Sequence, residues 1–168
     1  IGKLPIVVND SRGFFTSCVF GTFVQEGLRL LAEGVHPARI EMAALKAGMP
    51  IGPLAIQDEV SLTLSEHVAA ETRKALQAQG KELPHTDADD VINTMIHEFG
   101  RKGKAAGAGF YDYPEGGKKQ LWSGLSHWHK ETDISEYEII ERFLFVQALD
   151  TVRCLEEGVL ESVVDANV

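Results

Sequence analysis

The sequence predicts an all-α domain with one small β-hairpin. Three observations carry that expectation. Successive stretches place apolar residues at helical spacing, with Gly or Pro at their ends. Phe110-Tyr111-Asp112-Tyr113 and Gln120-Leu121-Trp122 flank a turn, Pro114-Glu115-Gly116-Gly117-Lys118, of hairpin composition. At 168 residues, 44% hydrophobic and 24% charged, the chain has the make-up of one globular domain and a fraction of a second.

Residues 1–10 read as a strand or extended lead-in, Leu4-Pro5-Ile6-Val7-Val8 and then a polar turn. Ser11 is the expected cap of the first helix, because its hydroxyl can accept an N–H two or three residues on. From Phe14 the apolar positions 20, 23, 24, 27, 28 and 31 form one buried face, and Gly34 stops the helix. Pro37 opens a short helix with a narrow face of Ile40, Ala43, Ala44 and Ala47, ended by Gly48. Gly48-Met49-Pro50-Ile51-Gly52-Pro53-Leu54 is a rigid turn, and Pro53 starts a helix through Val60. Ser61 caps a helix over about 62–79, with Leu62, Ser65, Val68, Thr72 and Leu76 on one side. Thr86 or Asp87 caps the next, which carries Val91, Ile92, Met95, Ile96 and Phe99. Gly100 follows, and a glycine-rich loop, 101–109, leads into the hairpin. Ser123 to Asp133 is a linker. Ser135-Glu136-Tyr137-Glu138 is a capping box that opens a last long helix, with Ile139, Ile140, Phe143, Leu144, Val146, Leu149, Val152 and Leu155 apolar and Gly158 at its end.

A shift of 124 residues lays Arg29-Leu30-Leu31-Ala32-Glu33-Gly34-Val35 over Arg153-Cys154-Leu155-Glu156-Glu157-Gly158-Val159. Ile40 then meets Val164 and Glu41 meets Asp165. A period of this length is a domain duplication. The expected division is a lead-in at 1–10, a first helical domain at 11–123, a linker at 124–134 and a truncated second repeat at 135–168. Without an initiator Met, the chain reads as a piece of a longer protein. The helix of the second copy must bury its face against the first copy or against another chain.

A formal net charge of −9 argues against nucleic acid, whose phosphates require clustered Lys and Arg. No apolar run is long enough to span a bilayer. Two cysteines are no disulfide framework, which favours a reducing, cytoplasmic setting with Cys18 and Cys154 as buried thiols. The glycine-rich loop matches neither phosphate-binding pattern, since it runs into Phe110-Tyr111 instead of a helix. His127 and His129, with Glu131 nearby, do not show a third ligand at a defined metal spacing. His67 and His97 lack a paired nucleophile, and neither Ser11 nor Ser17 sits in a nucleophile elbow. On these residues alone the chain is a helical domain without a self-contained active site.

Three blocks nevertheless resemble one family. They are Pro5-Ile6-Val7-Val8-Asn9-Asp10-Ser11-Arg12-Gly13-Phe14-Phe15; Gly48-Met49-Pro50-Ile51-Gly52-Pro53-Leu54 with Asp58; and Phe99-Gly100-Arg101-Lys102-Gly103 with Gly107-Ala108-Gly109-Phe110-Tyr111. In order and spacing, over about residues 4–113, they resemble the C-terminal helical domain of L-3-hydroxyacyl-CoA dehydrogenases. The second copy resembles the long form, found in multifunctional fatty-acid oxidation proteins that also carry an enoyl-CoA hydratase domain.

The resemblance implies oxidation of 3-hydroxyacyl-CoA to 3-ketoacyl-CoA in fatty-acid β-oxidation, with NAD and a catalytic His–Glu pair held by an N-terminal Rossmann domain missing here. The helical domain would close the cleft over acyl-CoA and supply a homodimer interface. The family's Gly-Phe-x-x-Asn-Arg falls on Ser17 and Cys18, so Ser17 stands at the position of the substrate-facing Asn. Phe15, Met49, Pro50, Ile51 and Pro53 fall on the acyl side of the family's pocket. The fragment alone is expected to be inactive. Two other readings remain: a non-enzymatic helical dimerisation module, and the helical domain of another two-domain NAD(P) hydroxyacid dehydrogenase.

Overall fold

A computed structural model describes residues 5–167, and in it helix α1 (Phe14–Ala32) is the element the others pack against. Helices α2 (Pro37–Lys46), α3 (Pro53–Val60), α4 (Leu62–Ala78) and α5 (Asp87–Asn93) follow. A wide π turn over Thr94–Glu98 extends α5 and keeps Met95 and Ile96 buried. Strands β1 (Tyr111–Asp112) and β2 (Gln120–Leu121) pair antiparallel, Tyr111 opposite Leu121. Helices α6 (Glu136–Glu156) and α7 (Val163–Ala166) complete the order. This is the all-α plan with a small hairpin. No helix among the described residues is long and apolar enough to cross a membrane.

Helix α1 buries Phe23, Val24, Leu28, Leu30 and Leu31, each contributing about 1.5–3 kcal/mol by leaving water. Gly27 lies where a Cβ would overlap the Pro53 ring, so the start of α3 sits directly on the backbone of α1. Helix α6 runs antiparallel to α1 and packs Phe143 against Phe23 at 5.0 Å between ring centres. Arg142 joins the two helices, its Nε donating to Glu26 at 2.5 Å and its terminal nitrogens to Glu33 at 2.5 and 2.7 Å.

Several local expectations need correction. Ser11 does not cap α1: Gly13 occupies that position with φ +81°, and Phe14 follows at +52°. This double turn presents the Ser11 carbonyl, not its hydroxyl, to the Phe14 N–H, and leaves Ser11 Oγ buried without a partner among the described residues. Phe20 is not on the buried face; it is 43% exposed. On α4 only Leu62 is buried, and Val68 is exposed because no element covers that side of the helix. Cys154 is buried, but Cys18 only partly. The stretch 123–133 contains a 3-10 helix, Ser123–Trp128, that inserts Leu125 into the core. On α6 the stripe splits. Ile139, Phe143 and Cys154 are buried, while Leu144, Leu149 and Val152 face out. Leu4 lies outside the described residues; Pro5–Asp10 is extended without a strand partner, tied down by the Asn9 amide on the Val159 carbonyl.

Two buried carboxylates fasten the hairpin to the helices. Asp58 accepts the backbone N–H groups of Phe110 at 2.7 Å and Tyr111 at 2.9 Å, and the Tyr113 hydroxyl at 2.9 Å. Glu41 accepts the Leu54 N–H at 2.9 Å and the Tyr111 hydroxyl at 2.5 Å. A Cβ on Gly109 would land on the Asp58 carboxylate, and one on Gly52 on that of Glu41. Arg101 closes the loop from outside. It donates to the Gly109 and Tyr111 carbonyls and lies 4.3 Å over the Trp122 ring.

Because Gly109 has no room for a methyl, Gly109→Ala should cost about 1–3 kcal/mol, read as a lower urea midpoint with unchanged slope. Burial raises the Glu41 carboxyl above its ordinary 4.5, outweighing the bonds from Tyr111, Leu54 and Ala55; burial likewise raises Asp58 against its three donors. Between the unfolded and folded pKa values the folded chain then holds more protons than the unfolded chain. Stability attributable to these groups falls as pH rises from their ordinary values, 3.8 for Asp58 and 4.5 for Glu41, through the raised ones and is flat above. Glu41→Gln removes one such group. Its stability relative to wild type should therefore climb with pH across that window, in urea melts at a series of pH values. A difference that stays level or declines would refute the raised value.

Candidate functional site

An open groove of about 690 Å³ lies between the N-terminal half of α1 and the uncovered side of α4. Its floor is apolar: Phe20 and Val24 from α1, Ile56 and Val60 from α3, Leu64 and Val68 from α4, and Leu83 beyond. Phe20, Val60, Leu64, Val68 and Leu83 are all exposed large side chains. Clefts with apolar floors and a few polar groups at their ends are the usual form of small-molecule sites.

The polar groups gather at the two ends. At one lie Arg12, Ser17 and Cys18 in the approach to α1 and its first turn. At the other, Arg73 pairs with Asp89 at 2.7 Å. Burial acts to raise the Asp89 carboxyl, but the bonds from Arg73 and Thr86 outweigh it and hold the group below its usual range. Thr86 and Asp89 also form the capping box of α5. Midway, Gln57 donates to Ser65 Oγ at 2.8 Å and joins α3 to α4.

The wall position of α4 comes from the turn at Ser61, with φ +82°. The turn is held by the Leu62 N–H on the Lys102 carbonyl at 3.0 Å and by Ser61 Oγ within 2.7 Å of Thr63 Oγ1. The loop 101–109 thus supports the groove from behind. The N–H groups of Phe110 and Tyr111 that follow it donate to Asp58.

Of the residues singled out in the sequence, Ser17 lines the groove and is exposed. Phe15 points elsewhere, buried with Cys154, Val159 and Leu160. Met49 and Ile51 are half-buried against the main core, Pro50 is exposed and Pro53 is buried over Gly27. None of these five borders the groove. The aromatic and aliphatic side chains of the floor were missed as a site. The available signal was Leu64 and Val68, apolar residues at i and i+4 on a helix otherwise rich in polar residues, with Val60 at the end of the helix before it.

Among the described residues that line the groove, no nucleophile is hydrogen-bonded to a base. Among the described residues no three His, Cys, Asp or Glu side chains gather as metal ligands. His97 pairs with Glu66 at 2.6 Å, and His127 stacks edge-on against Phe99 and Trp128. Nor do these residues fit a dinucleotide. The only sheet among them has two antiparallel two-residue strands, and no glycine turn joins a parallel strand to a helix. What the arrangement can do is bind an apolar chain or cover another domain, with a serine hydroxyl at the lip.

Comparison with known proteins agrees with this geometry. The family model described as 3-hydroxyacyl-CoA dehydrogenase, C-terminal domain, matches residues 13–113, from the start of α1 to just past β1. The fatty acid oxidation complex subunit alpha of Vibrio cholerae, from a Classical Ogawa strain and from an El Tor Inaba strain, is 31% identical over 170 residues in both cases. The alignments cover 99% of this chain and 23% of each relative, so the chain spans about a quarter of their length. By sequence match and by helical architecture, the chain belongs to the family of 3-hydroxyacyl-CoA dehydrogenase C-terminal domains.

Proposed function

We propose that this chain is the acyl-CoA-facing helical portion of an NAD-dependent L-3-hydroxyacyl-CoA dehydrogenase working in fatty-acid β-oxidation. The observation that carries the reading is the open apolar groove with Ser17 at its lip. It sits on the α1 segment that opens the family match. An acyl chain lying along Phe20, Val24, Leu64 and Val68 would bury apolar surface on both sides, at about 25 cal/mol per Å² removed from water. The hydroxyl of Ser17 can donate one hydrogen bond to a polar atom at the head of that chain.

On this reading the dinucleotide and the catalytic base belong to a Rossmann domain of the same protein, which would close over the groove. The residues described here do not fit NAD, and no chemical step is assigned to them beyond binding and orientation. Ser17 is shorter than the Asn of the resembling family and Cys18 carries no charge, so the hold on the substrate head is weaker here. A second reading, homodimerisation, is favoured by the outward stripe of α6: Phe145 is 59% exposed, Leu149 68% and Val152 50%.

The purified 168-residue chain should give no NADH with 3-hydroxybutyryl-CoA; measurable turnover would place catalysis within these residues and overturn the assignment. In the protein joined to its dehydrogenase domain, Leu64→Glu should raise KM for a long-chain 3-hydroxyacyl-CoA about tenfold or more. That ratio corresponds to about 1.4 kcal/mol of lost binding. The KM for the four-carbon substrate should change little. Equal effects on both chain lengths would count against the groove as the acyl site.

A further inference from the structure

Helices α1 and α6 cross at residues that are each other's counterparts. Under the 124-residue offset Thr22 corresponds to Val146, and Thr22 Oγ1 lies 3.5 Å from the Val146 carbonyl oxygen. A contact on one side of this crossing therefore has a counterpart on the other, with the helices exchanged. On the first side Arg142 of α6 enters between Glu26 and Glu33 of α1's C-terminal half and bonds to both. The counterparts of Arg142, Glu26 and Glu33 are residue 18, Asp150 and Glu157.

The second side is built like the first except at its centre. Asp150 is buried as Glu26 is, and each is paired with the arginine three residues on, Arg153 and Arg29. Glu157 follows at the end of α6, as Glu33 follows at the end of α1. Where Arg142 has its counterpart, however, stands Cys18, whose thiol donates to the Arg12 carbonyl at 3.3 Å. Both oxygens of Glu26 meet a guanidinium. The Oδ2 of Asp150 is buried with no partner among the described residues, on a side chain only 4% exposed. Glu157 lies 4.0 Å from Arg153, and the Cys18 thiol is raised by burial, then by the charge of Asp150 and, less strongly and against Arg153, by that of Glu157.

We propose that Asp150 and Glu157 form a guanidinium-binding site at Cys18, equivalent to the cradle that Arg142 fills across the helix crossing. The ligand class is a planar guanidinium. Its fork can serve the free oxygen of Asp150 and reach a second carboxylate at once, as Arg142 does, whereas an ammonium offers a point charge. A buried carboxylate oxygen without a donor is costly, so filling the site stabilises the junction of the two helices. The same junction fixes the first turn of α1, which carries Ser17.

The test is a thermal-unfolding comparison in the full chain. Cys18→Arg should melt about 4 °C or more above wild type, while Cys18→Met, similar in length but uncharged, should not. Adding Asp150→Asn to Cys18→Arg should abolish the gain. A folded Cys18→Arg protein that melts at or below Cys18→Met overturns the proposal. If Cys18→Arg fails to fold, methylguanidinium at millimolar concentration decides. A saturable rise in the wild-type midpoint, beyond that in equal sodium chloride and lost in Asp150→Asn, supports the site. No such rise overturns it.

Discussion

The carboxylate of Asp58 is the constraint on which the first half of the fold depends. It leaves α3, crosses the core and takes the N–H groups of Phe110 and Tyr111, which would otherwise be buried without partners. Tyr111 then hands its hydroxyl to Glu41 on α2, and Glu41 receives the Leu54 N–H at the start of α3. Three segments distant in sequence are thereby closed into one ring of charge-assisted hydrogen bonds. The cost is that two acids sit away from water, and the ring offsets it only while every donor is in place.

Helix α1 is a shared wall. One side meets α6 through Phe23, Glu26 and Thr22; another takes Pro53 on Gly27; a third is the apolar floor of the groove. That division explains why its periodicity is broader than a single stripe. A helix buried on two sides and lining a binding groove on the third carries apolar residues nearly all round.

The helix boundaries were legible in the sequence because Gly and Pro mark them chemically. Pro37 and Pro53 start their helices, and Gly34 and Gly48 leave theirs with positive φ. Of Thr86 and Asp87, the two caps the sequence offered, Thr86 is the one used, with Asp89 completing a capping box; at Ser135 the side chain accepts the Glu138 N–H. Burial was less so. Val68 and Phe20 fit a helical face equally well whether that face meets a core or lines a groove, and periodicity does not tell the two apart. Ser11 has the right chemistry for a cap, but the backbone turn at Gly13 and Phe14 settles which of its oxygens meets the helix. Of the groove's lining, the resemblance singled out Ser17 and, at the family's Arg position, Cys18. The resemblance pointed to the Met49–Pro53 turn, whose regular chemistry serves packing on Gly27 and the ring around Glu41. Pairings such as Glu26 with Arg142 span 116 residues and are set by the helix crossing, which local sequence does not encode.

Ser61 has a consequence for how α4 is held. A serine at φ +82° holds a conformation that costs about 1–3 kcal/mol unless its surroundings impose it. Here the imposing groups are Lys102, which receives the Leu62 amide, and Gly103, whose missing Cβ lets the loop backbone lie against the Ser61 Cα. The turn is therefore a loaded spring latched by the loop behind it. The amide of Leu62 is the hydrogen that would exchange with solvent if that hold were lost.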